Sequence, residues 1–302
     1  MLVLDAGDLL FKKFSNPIPE NELKMATDKA HLIIGSFNLM GYDALGIGDD
    51  DLTLGKEFLL EISKKAEFPF LSSNTFDEAS EKLLFQPYLI KEINGLRIGI
   101  FSLLSPDFFL GQSDPRRKGI VVRPPVEVAQ NMVKELQPKT DLLILLSHLG
   151  YPKDVELAQI VLGIHLIVGS HTGLNLINPH IIKNTIILQT PPRGMSAGRL
   201  DLTLINAESI FYNVANKRNL ENNLNNLKNR LNSTQASEAE KAQLQKSKEE
   251  TERSLKQLHG KNEFTHTMLP LSENMKDHPD ILKMIDEYKS KYPETPKPIA
   301  PK

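Results

Sequence analysis

Short apolar segments of strand length alternate with longer amphipathic segments over residues 1–210. This alternation predicts an α/β domain, because strands are short apolar runs and helices repeat apolar residues every three to four positions. The predicted strands are Leu2–Leu4, Ala44–Ile47, Phe70–Leu71, Arg97–Leu103, Leu142–Leu146, Leu166–Val168, Ile181–Ile182, Thr185–Leu188 and Leu200–Leu204, and the predicted helices are Glu22–Met40, Gly55–Ala66 and Val126–Leu136.

Some of these strands are continuously apolar, and one pair of strands carries a turn signal. Leu142–Leu146 and Leu166–Val168 read as parallel strands that are buried on both faces. The dipeptide Asn94-Gly95 has apolar flanks, which predicts a tight hairpin between Phe85–Ile93 and Leu96–Phe101.

The pattern changes after residue 210. Four leucines recur at spacings of four, three and four among Asn, Lys, Glu and Gln, which is a heptad-like, coiled-coil pattern. Ser233–Ser237 interrupts it, and a second helical segment ends near His259, before Gly260. The simplest interpretation is an antiparallel helical hairpin that buries its leucines against its own second arm. The four leucines are Leu220, Leu224, Leu227 and Leu231.

Residues 262–302 are predicted to form a strand, a short helix and a tail. Asn262–Leu269 alternates as a returning strand would, Pro279–Tyr292 has one apolar helical face, and the proline-rich Pro293–Lys302 reads as an extended tail. We therefore predict three regions: an α/β domain over 1–210, a helical hairpin with a returning strand over 211–269, and a C-terminal helix with its tail over 270–302. Residues 211–302 are the predicted region for self-association or for a fusion partner.

The amino-acid composition excludes several classes of protein for this chain. The 302 residues are 40% hydrophobic and 25% charged, which is globular usage and excludes wholesale disorder. The net charge of −2 argues against nucleic acid or an anionic membrane as the main partner. The absence of cysteine excludes disulfides and thiolate metal sites. No apolar run reaches the roughly 18–20 residues of a membrane span.

The ends of the chain carry two further expectations. Asp5 and Asp8 follow the apolar Met1–Leu4 at once, and no basic segment precedes them, so no signal peptide is predicted in this sequence. Because the sequence opens inside a predicted buried strand, we expect the natural N-terminus to lie upstream, and the tail to be a second cut edge.

Four short segments place a potential metal ligand just after a predicted buried strand. The carboxyl ends of such strands are where sites form in open α/β sheets. Two carboxylates and two imidazoles beside glycines suit Zn, Mn or Fe. The segments are Leu4-Asp5-Ala6-Gly7-Asp8, Gly46-Ile47-Gly48-Asp49-Asp50-Asp51, Leu146-Ser147-His148-Leu149-Gly150 and Val168-Gly169-Ser170-His171-Thr172-Gly173.

Each segment also has a structural interpretation, which stays open at this point. Gly7-Asp8 alone could be a turn, and Asp49–Asp51 could cap the helix that follows. Three adjacent aspartates would not all ionise normally without a cation nearby, which favours either a bound metal or a solvent-open loop. The basic run Arg116-Arg117-Lys118 favours a solvated loop over a phosphate contact. The remaining histidines His31, His180, His259, His266 and His278 read as structural or exposed.

The order of these motifs resembles the calcineurin-like metallophosphoesterases, specifically the catalytic domain of bacterial 5′-nucleotidases. The resemblance covers about residues 1–205 and includes Gly41-Tyr42-Asp43-Ala44, Phe70-Leu71-Ser72-Ser73-Asn74, Gly95–Ile100 and Gly198-Arg199-Leu200-Asp201-Leu202. It implies a metallophosphatase-like α/β sandwich with an appended helical hairpin.

The departures from the family pattern are as informative as the match. The first family motif, Asp-x-His, is absent, and Asp49 and Asp50 stand at the Asn and His positions of the third motif. In the last motif, His171 keeps the first histidine position and Gly173 replaces the second. The resemblance thus implies one intact metal site of two, and one divalent ion, Zn, Mn or Fe. Its ligands would be Asp8, Asp49, His148 and His171, and Asp50 would be a modified catalytic acid.

Two functions follow from this resemblance. One is a divergent metal-dependent phosphoester hydrolase of the 5′-nucleotidase type that acts on a phosphate ester or nucleotide and takes part in nucleotide breakdown. The other is an inactive module with the same fold and a degenerate active site, used for binding or assembly in a larger protein; the lost ligand positions favour weak or absent catalysis. Family habit implies an extracytoplasmic, periplasmic location.

Overall fold

The computed structural model describes residues 1–111, 113–206, 208, 210–232 and 237–293. In chain order the elements are β1 (Leu4–Asp5), α1 (Glu20–Met40), β2 (Ala44–Gly46), α2 (Gly55–Ser63), β3 (Phe70–Leu71), β4 (Thr75–Asp77), β5 (Tyr88–Ile93), β6 (Leu96–Leu104), β7 (Ile120–Val122), α3 (Pro125–Leu136), β8 (Leu142–His148), α4 (Tyr151–Ile160), β9 (Leu166–Gly169), β10 (His180–Ile182), β11 (Thr185–Leu188), β12 (Ser196–Thr203), β13 (Phe211–Asn213), α5 (Val214–Leu231), α6 (Glu238–Leu258), β14 (Asn262–Pro270) and α7 (Pro279–Lys291).

These elements form two compact units. The first comprises the described residues within 1–176, 180–195 and 271–293, and the second comprises those within 177–179 and 196–270. The units follow spatial contact rather than chain order, so the predicted borders at residues 210 and 269 stay a prediction. The predicted tail Pro293–Lys302 lies outside the described residues from position 294 onwards, as does the interruption over 233–236.

The first unit is a sandwich of two sheets with helices on the outside. One sheet is parallel with strand order β1-β2-β3, and the other has the order β10-β11-β9-β8-β6-β5. The central strands β6, β8, β9 and β11 run parallel, as the continuous apolar runs predict for β8 and β9, whereas β5 and β10 pair antiparallel at the edges. The sheets pack closely, because a Cβ on Gly46 in β2 would lie 2.7 Å from Ser102 Oγ and 3.0 Å from Leu146 Cβ.

Two hydrophobic cores hold this unit together. One joins α1 and α2 to β2 and β3, with Ile34, Leu45 and Leu59 fully buried. The other joins α3 and α4 to the six-stranded sheet, with Leu145 and Ile167 fully buried. Each layer therefore has its own apolar packing, and the carboxyl ends of the parallel strands are left free to present polar side chains.

The second unit combines a small sheet with a helical hairpin. Strand β14 lies between β12 and β13, antiparallel to the first and parallel to the second. Helices α5 and α6 pack against each other, and Leu227 and Leu244 are buried between them. The predicted returning strand and the predicted self-packing hairpin are both present. None of the helices that the structure describes combines the length and apolar composition that a membrane crossing requires.

Candidate metal centre

The four predicted ligand segments meet at one end of the sandwich. Asp8 and Asp49 each lie three residues beyond β1 and β2, which are parallel neighbours in one sheet. His148 is the last residue of β8, and His171 lies two residues beyond its parallel neighbour β9 in the other sheet. Each sheet thus contributes two candidate ligands from its carboxyl edge, as strand-end reasoning predicts.

The loops that carry the candidate ligands have an unusual backbone conformation. Asp8 and His171 have φ angles of 61° and 69°, in the left-handed region that residues other than glycine rarely adopt. Such strain persists where the surroundings over-determine it, commonly at functional sites. A Cβ on Gly48 would lie 2.3 Å from Asp8 Oδ1 and 2.8 Å from His148 Cε1, so only glycine allows this approach.

The side chains themselves converge tightly. One ligand atom from each of Asp8, Asp49, His148 and His171 lies within 4.8 Å of the other three. His148 Nε2 is 3.2 Å from Asp8 Oδ2 and 3.0 Å from Asp49 Oδ1. His171 Nδ1 is 3.8 Å and 3.2 Å from the same two oxygens, and 3.3 Å from His148 Nε2.

This spacing fits a divalent ion. Four ligand atoms at 2.0–2.1 Å around a tetrahedral zinc lie about 3.3 Å apart, close to the separations between these atoms. The ring of His148 is also held as a metal ligand requires. Its Nδ1–H donates to the Ala6 carbonyl, 3.0 Å away, which leaves Nε2 to face the cluster. Ser170 Oγ lies 2.6 Å from the same Nδ1. The residues present therefore fit such an ion.

The charges of the cluster support the same interpretation. Burial alone lowers the pKa of His148, but the carboxylates of Asp8 and Asp49 outweigh it and raise that pKa well above its ordinary value. Burial likewise opposes the shift at His171, whose pKa is raised by hydrogen bonds to Asp49 and Asp8. The pKa of Asp49 falls despite burial, because both imidazoles bond to it. A divalent cation would supply the positive charge that these protons supply.

The aspartate run 49–51 is buried rather than solvent-open. The three residues are 2%, 5% and 1% exposed, which rules out the open-loop alternative. Asp49 holds the N-cap position of the short 3₁₀ turn Asp50–Leu52, but neither this turn nor helix α2 has a side-chain cap hydrogen bond, so the run does not act as a side-chain cap. The cation near the run is Arg116, whose Nη1 lies 2.5 Å from Asp49 Oδ2 and 2.8 Å from Asp50 Oδ1.

Arg116 is therefore a residue that sequence reasoning placed wrongly. It is 3% exposed and belongs to the centre rather than to a solvated loop. The basic run gave no signal for this, because the partners Asp49 and Asp50 lie 67 and 66 residues away in the chain.

Asp51 acts on the backbone and was not predicted as a site residue. Its two carboxylate oxygens accept the backbone N–H groups of Asp8, Leu9, Leu10 and Gly48 at 2.8–2.9 Å. Burial and the nearby Asp8 carboxylate raise the pKa of Asp51 to about 7, although these N–H groups oppose the shift. The side chain ties the loop after β1 to the loop after β2.

Phe108 covers one side of the centre. Its ring stacks on the His171 imidazole, with 3.3 Å between ring centroids and 9° between planes, and meets His148 edge-on at 5.8 Å. An aromatic cover keeps water from that face of the imidazole. No sequence pattern announced this role, since Phe108 lies on a short turn far along the chain from both histidines.

Asp50 lies beside the cluster rather than in it. Its backbone N–H donates to Asp8 Oδ1 at 2.9 Å, and its own Oδ1 accepts from the Phe14 N–H and from Arg116, both at 2.8 Å. Burial, with the Asp8 and Asp49 carboxylates, raises the pKa of Asp50 to about 6. The roles of the five predicted residues as ligands or acid stay predictions.

Comparison with known proteins gives relatives of one kind. No protein-family model matches the chain. A 5′-nucleotidase of Vibrio cholerae is 29% identical over 247 residues, which cover 71% of this chain and 43% of that protein. The trifunctional nucleotide phosphoesterase YfkN of Bacillus subtilis is 29% identical over 244 residues, which cover 67% of this chain and 16% of that protein. The chain thus spans less than half the length of either relative.

Solved structures give the same fold. The sulfate thiohydrolase SoxB of Thermus thermophilus matches with a TM-score of 0.68 and 19% identity, over 96% of this chain and 43% of that one. The calcineurin-like phosphoesterase YfkN matches with a TM-score of 0.62 and 18% identity, over 96% and 83%. The resemblance to calcineurin-like phosphoesterases and 5′-nucleotidases is confirmed, and the fold is a metallophosphatase-like α/β sandwich with an appended helical hairpin.

Proposed function

We propose that this chain is a divalent-metal-dependent phosphoester hydrolase whose substrates are nucleotides or related phosphate esters. The observation that carries the proposal is the convergence of Asp8, Asp49, His148 and His171, with ligand atoms within 4.8 Å of one another. The sequence relatives are a 5′-nucleotidase and a nucleotide phosphoesterase, which supports this substrate class.

The centre would hold one ion through Asp8 Oδ2, Asp49 Oδ1, His148 Nε2 and His171 Nδ1. When bound, a Zn, Mn or Fe ion would supply Lewis acidity toward a phosphoryl oxygen. The protein's part is to fix the ligands. The Ala6 carbonyl holds the ring of His148, Phe108 covers His171, and the Asp51 carboxylate fixes the loop that carries Asp8.

Asp50 is the candidate acid for the leaving group. Both of its side-chain contacts engage Oδ1, so Oδ2 is the oxygen left to carry a proton. A pKa raised to about 6 keeps a fraction of this carboxyl protonated near neutral pH, which general acid catalysis requires. An ionised Asp50 would instead repel a phosphate dianion, so the rate should fall as the pH rises above this range.

A second function has one specific observation in its favour. Arg116 and the Phe14 N–H both hold the Asp50 carboxylate, which restrains the only candidate acid in the described part of the site. An inactive module that binds a metal ion or a nucleotide without hydrolysis would keep this arrangement. Turnover separates the two functions, whereas metal binding does not.

The test combines metal content with turnover. The protein is loaded with Mn²⁺ or Zn²⁺, freed of loose ions and analysed for bound metal, and phosphate release is followed from 5′-nucleotides and a bis-aryl phosphodiester. We expect bound metal and metal-dependent phosphate release. Asp8→Ala and His171→Ala should weaken metal binding at least tenfold, because each removes one ligand.

His278→Ala is the matched control, since His278 is exposed and lies outside the centre. It should leave metal content and turnover unchanged. Unaltered metal content in Asp8→Ala and His171→Ala would contradict the proposal, and metal binding without any phosphate release would favour the inactive module.

Two wider expectations belong to the same proposal. An extracytoplasmic location follows from the resemblance and is tested by fractionating the producing cells. Self-association or fusion through 211–302 would have to use surfaces other than Leu227 and Leu244, because these are buried between α5 and α6. Sedimentation of the purified chain checks self-association.

A further inference from the structure

The Arg116 guanidinium is buried against two residues of the centre. It is 3% exposed, and one of its nitrogens, Nη1, reaches both Asp49 Oδ2 and Asp50 Oδ1. The rings of Phe14 and Phe109 lie 4.5 Å and 5.4 Å from its central carbon, so apolar surface seals it from water. An arginine remains protonated in such surroundings, and it is therefore a permanent positive charge at this point.

Every N–H of this guanidinium is used inside the protein. Nε donates to Asp114, Nη1 donates to Asp49 and Asp50, and Nη2 donates to the Phe108 carbonyl and to Asp114. A guanidinium has five N–H donors, and these contacts account for all five. No donor is left to bind a phosphate oxygen, so Arg116 is a positioning residue.

The contacts divide the Asp49 carboxylate into two halves. Oδ2 faces Arg116, whereas Oδ1 lies 3.0 Å from His148 Nε2 and 3.2 Å from His171 Nδ1. A metal ion that binds among the histidines can therefore use only one oxygen of Asp49. The same guanidinium also donates to the Phe108 carbonyl, and it thereby fixes the turn that carries Phe108, the residue whose ring covers His171.

Arg116 also occupies a position at which two carboxylate oxygens could otherwise bind a second cation. Asp49 Oδ2 and Asp50 Oδ1 are buried carboxylate oxygens that point to one place, and the guanidinium occupies it. A second divalent ion there would have to displace Arg116 and would meet its charge at short range. Buried like charges at such distances repel strongly.

We propose that Arg116 is a built-in cation that limits this centre to one divalent ion and holds Asp49 as a one-oxygen ligand. The proposal rests on the proposed function, in that an ion binds among Asp8, Asp49, His148 and His171. It adds the physical reason for a single ion and assigns that reason to a residue.

The test counts ions in the full chain. Mn²⁺ binding is measured by equilibrium dialysis with elemental analysis and by calorimetry, and the electron paramagnetic resonance spectrum distinguishes isolated from paired ions. Wild type should bind one Mn²⁺ and show isolated ions. The double variant Arg116→Gln/Asp114→Asn removes the guanidinium together with the carboxylate that balances it, and it should bind two.

Two single variants serve as controls for the double variant. Arg117→Gln removes the same charge at the next residue, which does not contact the aspartates in the described structure, and should leave both ion number and Kd unchanged. Arg116→Lys keeps the charge but offers three donors for five acceptors. It should still bind one ion, with Kd raised at least threefold because Asp49 is less firmly oriented.

The outcomes separate the two proposals. Two ions in wild type would overturn the Arg116 proposal and leave the hydrolase standing, and this result needs no variant to fold. A folded double variant that still binds one ion with unchanged Kd would overturn it as well. No ion in wild type would overturn both proposals.

Discussion

Asp154 is a buried carboxylate outside the centre that nevertheless supports it. It is fully buried in α4, accepts a hydrogen bond from the Ser147 hydroxyl through Oδ1, and has no hydrogen-bond partner for Oδ2 among the described residues. Ser147 immediately precedes His148, so this contact anchors the end of β8. Burial raises the pKa of Asp154 to about 7, although the Ser147 hydroxyl and His148 oppose the shift.

A raised pKa makes stability depend on pH with a definite sign. The folded protein holds the Asp154 proton up to about pH 7, whereas the unfolded chain releases it near 3.8. The unfolding free energy contributed by this group is therefore largest below 3.8 and falls as the pH rises to about 7, by up to about 4 kcal/mol at about 1.4 kcal/mol per unit.

We predict that Asp154→Asn removes this fall, because an amide does not titrate. Urea unfolding of both proteins between pH 4 and pH 8, followed by far-ultraviolet circular dichroism, measures the difference. Wild type should lose stability relative to the variant as the pH rises. Parallel curves across this range would show that Asp154 does not carry the proton.

At the scale of residues, the sequence was informative where chemistry follows a strand end. Asp8, Asp49, His148 and His171 each follow an apolar run, so residue type and position together identified them, and the structure brings them together. Arg116 could not be found in this way. Its partners are remote in the chain, and a guanidinium between carboxylates has no local periodicity. The roles of Asp51 and Phe108 could not be predicted from the sequence for the same reason, because their contacts are tertiary.

Among the secondary-structure elements, the helical hairpin of the second unit has the clearest local sequence signal. Ser237 caps helix α6 at its N-terminus: its hydroxyl accepts from the Glu240 N–H while the Glu240 carboxylate accepts from the Ser237 N–H. This reciprocal capping box satisfies two N–H groups that the first helical turn leaves unpaired.

Removing the cap should weaken the hairpin. Ser237→Ala is expected to cost about 1 kcal/mol of unfolding free energy. Ser254→Ala is the matched control, because Ser254 lies within the same helix and its hydroxyl donates to the Glu250 carbonyl behind it, its one side-chain hydrogen bond among the described residues. That change should be neutral or stabilising by a few tenths of a kcal/mol. Urea unfolding measures both, and equal effects would contradict the role of the cap.

Helix α4 shows where pattern reading fails at this scale. Its buried positions are Asp154, Leu157 and Ala158, while Ile160 is 48% exposed, so a carboxylate lies on the inner face and a large apolar residue lies outside it. Strands β4 and β7 were missed because what defines them is a long-range pairing, such as that of Thr75 with Val122. The longer helices were predicted from their helical periodicity, and the buried parallel strands from their continuous apolar runs.

At the scale of the whole molecule, the candidate centre joins chain segments that are far apart. The hydrogen bond between Asp50 and Asp8 spans 42 residues, the contact of His148 with Asp49 spans 99, and that of Ser170 with Ala6 spans 164. The centre can therefore form only after both sheets have been assembled and brought face to face, since closing such long loops carries an entropy cost.

This separation has a kinetic consequence. Contacts that form after the rate-limiting step of folding affect the unfolding rate and leave the folding rate unchanged. At 100 times its Kd, Mn²⁺ should slow unfolding by up to about 100-fold and change refolding by less than about twofold. Stopped-flow unfolding and refolding with and without Mn²⁺ measure this, and at the same Mn²⁺ concentration His171→Ala should reduce the slowing of unfolding to about tenfold or less. An ion that accelerated refolding instead would mean that the four loops meet early. With the expected result, the metal prolongs the lifetime of the folded chain without accelerating its folding.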